Sequence, residues 1–368
     1  MNILIATGIY PPEIGGPATI MSALVEELKR ARHEVIVVTY GQPSMKTDGV
    51  VRVPRYGSVL SRYVRLARVV KKVLKSDMTV LVTDVFSVGI PVRLALMGRR
   101  NRLVIRLGGE WMWEDAVTNG GLRVTLREYW AHHATGLRHR MKQLVAGWVL
   151  RRAERIAVTS DILRTPLEHI APSVLARVVT VPNVPARDDC KPAPHAPYGE
   201  LRVLYAGRIA PVKNVPFFAR ALKQAIEAGA AVSMVFVGDG EERAECERIL
   251  HGLAHVRFLG SKAPHDVLNL LSETDLYVLP SLSDVCPNGV LEALGCGVPC
   301  LVTSEHGLPS GTGGMLEFDP TDEAAWTEVL IRFASDRAAL DTVREQIRLP
   351  PPPSVTLADV VTASSRVR

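Results

Sequence analysis

The segment Gly207-Arg208-Ile209-Ala210-Pro211-Val212-Lys213-Asn214 places two cations five residues apart, directly after a short apolar run. A planar guanidinium and a point-charge ammonium on one strand-to-helix loop can close around a diphosphate. Further along, LPSLSDVCPNGVLEALGCGVP carries two carboxylates, Asp284 and Glu292, on either side of a Pro287-Asn288-Gly289 turn. The pattern puts Asp284 in the loop and Glu292 in the first turn of the following helix, so both can face one pocket. Backbone N–H groups near Gly289 and Val290 open that helix, where its dipole suits a phosphate. Gly238, in Gly238-Asp239-Gly240, and the pair Gly15-Gly16 are further points where a backbone can approach a ligand closely. Each residue also has a plain reading. Arg208 and Lys213 match a solvated surface pair, Asp284 a loop or capping carboxylate, Glu292 a dipole-complementing side chain, and the glycines simple turns.

The elements that must hold these residues repeat one plan twice. Asn2 to Thr7 is an apolar run closed by Gly8. A loop with Gly15, Gly16 and Pro17 follows, then a helix with Ile20, Leu24 and Leu28 on one face, then a second buried strand at Val35 to Thr39. Strand, glycine turn, helix and strand is the opening of a parallel α/β sheet. The plan restarts with a strand at Leu201 to Tyr205, Gly207, a helix over Pro216 to Ala228 and a strand at Val232 to Val237. Between the two starts lies VPNVPARDDCKPAPHAPYGE, too rich in proline for a helix or a central strand. The expected domains are therefore 1–185 and 199–349, with a linker at about 185–200. A second proline stretch, Pro350 to Pro353, precedes a short helix from about Thr356, and this tail, 350–368, is a candidate to cross back to the first domain.

In this order and spacing the motifs resemble the retaining glycosyltransferases of family 4. The resemblance runs over nearly the whole chain: IYPPEIGGPA at the start, AGRIAPVKN, FVGDGEE, the FLG at Phe258, DLYVLPS, and the acidic-x7-Glu segment with EALGCGVP. It implies the GT-B fold, α/β with two Rossmann-like domains whose parallel sheets face each other across a cleft. It also implies a nucleoside-diphosphate sugar as donor substrate, no cofactor and no metal. By the same resemblance Arg208 and Lys213 hold the donor diphosphate, Glu292 the ribose hydroxyls and Asp284 the hydroxyls of the donor sugar. Gly15, Gly16, Gly207, Gly238, Asn288, Gly289 and Val290 belong to the donor-binding set. Two departures stand out. The family usually has glutamate followed by glycine where this chain has Asp284 and Val285, and many members carry a histidine near the stretch that here reads LVIRLGGEWMWED. Glu110, Trp113 and Glu114 are then the acceptor-side candidates, on a hydroxyl acceptor that is a carbohydrate or is linked to lipid.

Composition narrows the partners and the setting. In 368 residues the hydrophobic share is 47%, enough for two cores, and the formal charge is +6, which favours anionic partners. The five cysteines form no CxxC pair, so neither a disulfide framework nor a zinc site is expected, and the thiols suit a reducing compartment. His132, His133 and His139 lack the spacing of a usual zinc site. Met1 to Gly8 enters a strand with no basic leader, and Thr79 to Gly98 is interrupted by Asp84, Pro91 and Arg93. Neither a secretory signal nor a membrane span is expected, and the setting is cytoplasmic, with the inner face of the membrane left open. The basic stretch 52–75 sets Leu60, Val64, Ala67, Val70 and Leu74 on one helical face and Arg62, Arg65, Arg68, Lys72 and Lys75 on another. It fits an ordinary surface helix packing its stripe on the sheet, and also a peripheral contact with anionic lipid. Nucleic acid is not expected as a partner. Two rival functions remain open: a sugar-nucleotide epimerase on the same architecture, and a non-catalytic relative that only binds the nucleotide sugar. The absence of GxGxxG after both opening strands argues against a dehydrogenase.

Overall fold

The structure, a computed structural model, describes residues 1–13, 15–45, 47–183 and 199–363. Most of the expected linker, 185–198, and the last five residues of the tail lie outside the described residues. Among the described residues, thirteen short, apolar strands form two sheets. The first holds β1 (Asn2–Thr7), β2 (Glu34–Tyr40), β3 (Val50–Val53), β4 (Thr79–Val82), β5 (Arg102–Leu107), β6 (Arg155–Val158) and β7 (Val178–Thr180), in the spatial order β3-β2-β1-β4-β5-β6-β7. The second holds β8 (Leu201–Ala206), β9 (Val232–Val237), β10 (Val256–Phe258), β11 (Leu276–Leu279), β12 (Cys300–Thr303) and β13 (Met315–Phe318), in the order β10-β9-β8-β11-β12-β13. Every pairing between neighbours is parallel. Central strands such as β4 and β12 are buried along their whole length, which is why they read as unbroken apolar runs and not as alternating ones. In each sheet the strand order reverses once, between β1 and β4 and between β8 and β11, and ligands of open parallel sheets bind beyond the strand ends at such a reversal.

The chain divides into two compact units that do not follow sequence order. The first comprises Met1–Glu110, Ala134–Pro182 and Pro353–Arg368; the second comprises Trp111–His133 and Asn183–Pro352. The tail thus belongs with the first unit. Its helix, Leu357–Thr362, is closed at the start by a reciprocal Thr356–Asp359 capping box. Leu357, Val360 and Val361 pack among Ile3, Met21, Leu24 and Leu81, and Arg102 donates to the carbonyls of Val360 at 2.9 Å and Val361 at 2.6 Å. Trp111–His133, which by sequence position falls inside 1–185, packs with the second unit instead. The second unit's own core is aromatic, with Phe218 and Phe217 each packed edge-on to Trp326 at 6.0 Å.

Two expectations need correction. Cys246 and Cys300 are free thiols, but Cys296, 1% exposed, is disulfide-bonded, where the sequence led to no disulfide framework. In the helix Val59–Val73 the buried line is Leu66 and Val70, continued by Leu74, while Val59 and Leu60 are 51% and 72% exposed. The packed face keeps Val70 and Leu74 of the expected stripe and adds Leu66, which that stripe omits, so the buried line follows an i, i+4 ridge slanting across the helix.

Candidate functional site

The loops after β8 and β11, on either side of the strand-order reversal in the second sheet, carry most of the residues singled out in the sequence. Gly207 closes β8, and the Tyr205 hydroxyl donates to the Arg208 carbonyl at 2.6 Å, fixing the backbone while the Arg208 side chain stays exposed. Among the described residues its guanidinium makes no hydrogen bond or ion pair. A single turn, Pro211–Lys213, ends on Asn214, whose φ of 54° lies in the left-handed region. That strain is held by its amide, which donates to the Pro320 carbonyl at 2.9 Å. The turn aims the Lys213 ammonium at Asp284, and the two form an ion pair between side chains 22% and 10% exposed.

Asp284 is held from the far side. Its N–H donates to the Glu305 carbonyl at 2.8 Å and its carbonyl accepts from Gly307 N–H at 2.8 Å, so the loop is stitched to the segment after β12. The Ser281 hydroxyl reaches the same carboxylate oxygen at 3.4 Å. The next element, Asn288–Gly295, starts as a helix without an acidic residue in its first turn. Glu292, half-buried, therefore lies one turn further in than the sequence pattern places it. Val290 is fully buried, and the Asn288 side-chain oxygen accepts from the Asn183 amide at 2.7 Å.

Two glycines are required by contacts that no other residue permits. A Cβ on Gly238, φ 124°, would lie 1.9 Å from the Gly207 carbonyl oxygen, so the turns after β8 and β9 touch backbone to backbone. A Cβ on Gly289 would lie 2.2 Å from the Tyr277 hydroxyl, which donates to Ala206 at 3.0 Å and ties β11 to β8. Burial pushes the Tyr205 and Tyr277 phenols well above their ordinary range, so both stay neutral donors.

The segment Trp111–His133 reaches the same loops through side chains that carry no motif. Arg123 donates to the Pro211 carbonyl at 3.1 Å and pairs with Glu242, itself anchored through its N–H to the Ile209 carbonyl at 3.0 Å. Leu126 N–H donates to the Ser283 hydroxyl at 2.8 Å, next to Asp284, and Arg127 lies 3.6 Å from the Glu305 carboxylate. Burial raises the Glu305 carboxyl above the usual carboxylate range, and Arg127 opposes that rise. Three polar contacts from Arg123 to Arg127 therefore end beside Lys213, beside Asp284, and on the residue whose carbonyl holds Asp284.

The remaining candidates are spread out. Gly15, φ 156°, precedes the helix Gly16–Arg30 in the first unit, where a Cβ would meet Ile9 at 2.9 Å. Glu110 ends the same unit's first stretch and is 6% exposed. Trp113 is 2% exposed and its indole N–H donates to Val124 at 2.9 Å, so it packs its own segment; Trp111, not singled out in the sequence, is the exposed indole at 44%. Glu114 is half-buried.

Residues 200–336 match the family model of the glycosyl transferases group 1, and residues 15–184 match that of the glycosyl transferase 4-like domain. The chain belongs to the group 1 glycosyltransferases. Similarity to a GDP-mannose-dependent alpha-(1-6)-phosphatidylinositol dimannoside mannosyltransferase of Mycobacterium tuberculosis is 24% identity, over 84% of this chain and 81% of that one. A UDP-Gal:alpha-D-GlcNAc-diphosphoundecaprenol alpha-1,3-galactosyltransferase of Escherichia coli is 36% identical over 36% of each chain. That match, and a 27% identical match to Bacillus subtilis EpsF over 44% of its length, span less than half of those relatives. The fold is GT-B. A sucrose-phosphate synthase of Thermosynechococcus elongatus superposes with a TM-score of 0.74 at 17% identity, covering 94% of this chain and 92% of the other. WaaG, a glycosyltransferase involved in lipopolysaccharide biosynthesis, superposes at 0.71 and 17% identity, covering 98% and 100%.

Within this family frame the sequence singled out Arg208, Lys213, Asp284 and the glycines, and missed Arg123, Ser283 and Glu305. Glu242 lies in FVGDGEE and was in view as a motif, whereas Arg123 is one arginine among many.

Proposed function

We propose that this glycosyltransferase moves a hexose from a nucleoside-diphosphate sugar to a hydroxyl acceptor, with retention and without a metal ion. The observation that carries the reading is the Lys213–Asp284 ion pair at the strand-order reversal, with Arg208 exposed on the same loop. In the donor complex Lys213 exchanges its carboxylate partner for the diphosphate, and Asp284 is released toward the hydroxyls of the sugar. Arg208, Lys213 and the opening N–H groups of the helix Asn288–Gly295 then face the oxygens that gain negative charge as the glycosidic bond breaks. The acceptor hydroxyl attacks from the face the leaving group vacates and passes its proton to the departing phosphate, which keeps the configuration at the anomeric carbon. Glu292 serves the ribose; Glu110 and Glu114 remain the acceptor-side carboxylates.

The printed names of the relatives, one acting on a diphosphoundecaprenol-linked sugar and one on a phosphatidylinositol mannoside, favour an acceptor that is lipid-linked or a polysaccharide precursor. The setting is then the cytoplasmic face of a membrane. No helix among the described residues is long and apolar enough to cross one, and the segment 52–75 offers a peripheral contact, with Tyr56, Val59 and Leu60 exposed beside Arg68, Lys71 and Lys72. The test is donor turnover with UDP-, GDP- and ADP-sugars in Arg208→Ala and Lys213→Ala. Each variant is expected to lose roughly 100-fold or more in kcat, the weight of one preorganised donor to a developing charge. Unchanged turnover in both would overturn the diphosphate assignment.

A further inference from the structure

The helix Leu137–Leu150 of the first unit is apolar on the wrong side. Its buried face is His139, Ala146, Gly147, Val149 and Leu150. A surface helix of a globular domain turns polar residues outward. Here Leu137, Met141 and Leu144, at i, i+4 and i+7, form the outward stripe and are 78%, 53% and 62% exposed. The neighbouring helix Ile90–Ala95 extends the patch. Its Arg93 stacks on the ring of Trp148 at 4.6 Å, and Leu94 and Met97 are 40% and 59% exposed.

The charge around this patch has one sign. Arg138 and Arg140 flank the stripe, and Arg99 and Arg100 follow the second helix, all four exposed. No aspartate or glutamate occurs from Val85 to Gly109 or from Tyr129 to Ala153. Leucine and methionine on the outer crest of a helix, with arginines on its shoulders and no acid in its own stretch of sequence, is the pattern of an element lying in the interface of an anionic bilayer. Two copies of such a face would meet arginine to arginine, which opposes self-association through it.

We infer that Leu137, Met141 and Leu144 enter the headgroup region of an anionic membrane, with Arg138 and Arg140 on the lipid phosphates. The helix Ile90–Ala95 that extends this patch also packs on the helix Val59–Val73, so the stripe adjoins the segment 52–75 while resting on different residues, and it does not depend on the transfer reaction. The test is co-sedimentation of the full chain with vesicles of phosphatidylglycerol and phosphatidylcholine, against vesicles of phosphatidylcholine alone. The wild type is expected to bind only the anionic vesicles, and less at high salt. Leu137→Ser/Met141→Ser/Leu144→Ser should lower the partition coefficient at least tenfold with an unchanged melting temperature, and Arg138→Gln/Arg140→Gln should lower both binding and its salt sensitivity. The single variant Leu144→Ser, expected to lose several-fold, guards against misfolding of the triple variant.

The inference fails if the wild type ignores anionic vesicles. It fails equally if the serine variants bind as the wild type does while Arg68→Gln/Lys71→Gln/Lys72→Gln alone abolishes binding. A concentration-dependent dimer in light scattering, lost in the serine variants, would overturn it in favour of an interface between copies.

Discussion

Lys213 and Asp284 neutralise each other in the structure, and this sets how the site must respond to a ligand. A diphosphate must compete with the Asp284 carboxylate for the same ammonium. Removing that competitor should help a bare nucleoside diphosphate and harm the sugar donor's reaction. Asp284→Asn is expected to bind the free nucleotide several-fold more tightly, since a partly exposed pair is worth about 1 kcal/mol. Transfer should fall roughly 10–100-fold with loss of a charge-assisted hydrogen bond to the sugar. Titration calorimetry and initial rates separate the two effects; weaker nucleotide binding would mean that Asp284 positions Lys213 instead of competing for its partner. Both residues are legible in the sequence because each lies in a short loop after a buried strand. Their pairing is not, because they stand 71 residues apart and nothing local records it. Gly238 is similar: the sequence marks a turn there, and only the structure shows the Gly207 carbonyl that forbids any side chain.

Among the elements, strands and the longer helices follow directly from apolar period, and β1, β9 and the helix Val215–Glu227 begin and end within a residue of the pattern. The helix Trp111–Thr118 is too short for its period to say which indole is inward, so Trp113 was the chosen tryptophan and Trp111 the exposed one. The packing of Trp111–His133 on the donor loops was equally illegible, because Arg123 meets Pro211 across 88 residues of chain. This segment has a testable consequence. If Arg123 sets the turn that aims Lys213, Arg123→Ala should lower kcat about tenfold, and Glu242→Ala should do much the same. The double variant should fall well short of the product of the two losses, since partners in one network are non-additive. Arg123→Lys should not restore the rate, because an ammonium cannot span the Pro211 carbonyl and the Glu242 carboxylate as the fork does. Strict additivity in the cycle would show that the two residues act apart and that the segment does not set the turn.

At the scale of the whole molecule, the tail makes the first unit depend on the last residues of the chain. The sequence suggests a return, since Pro350 to Pro353 end one structure and a capped helix begins another, but it names no site for that helix. The structure seats Leu357, Val360 and Val361 in the core beneath the helix Gly16–Arg30, and the carbonyls of Val360 and Val361 accept from Arg102, at the start of β5 and also paired with Glu154. Burying three such side chains is worth about 5–9 kcal/mol as an upper estimate, a large part of the roughly 5–15 kcal/mol that typically holds a domain. Deleting residues 354–368 should therefore speed hydrogen exchange in β1, β4 and the helix Gly16–Arg30, and leave β8, β9 and β11 unchanged. Val361→Asp should reproduce the effect by placing a carboxylate at a fully buried position, whereas Val361→Ile should be mild. Equal protection in the truncated and full chains would mean that the tail helix adds no stability to the sheet it covers. Faster exchange in the second sheet as well would mean that the two units unfold as one, and that the tail's contribution is shared by both.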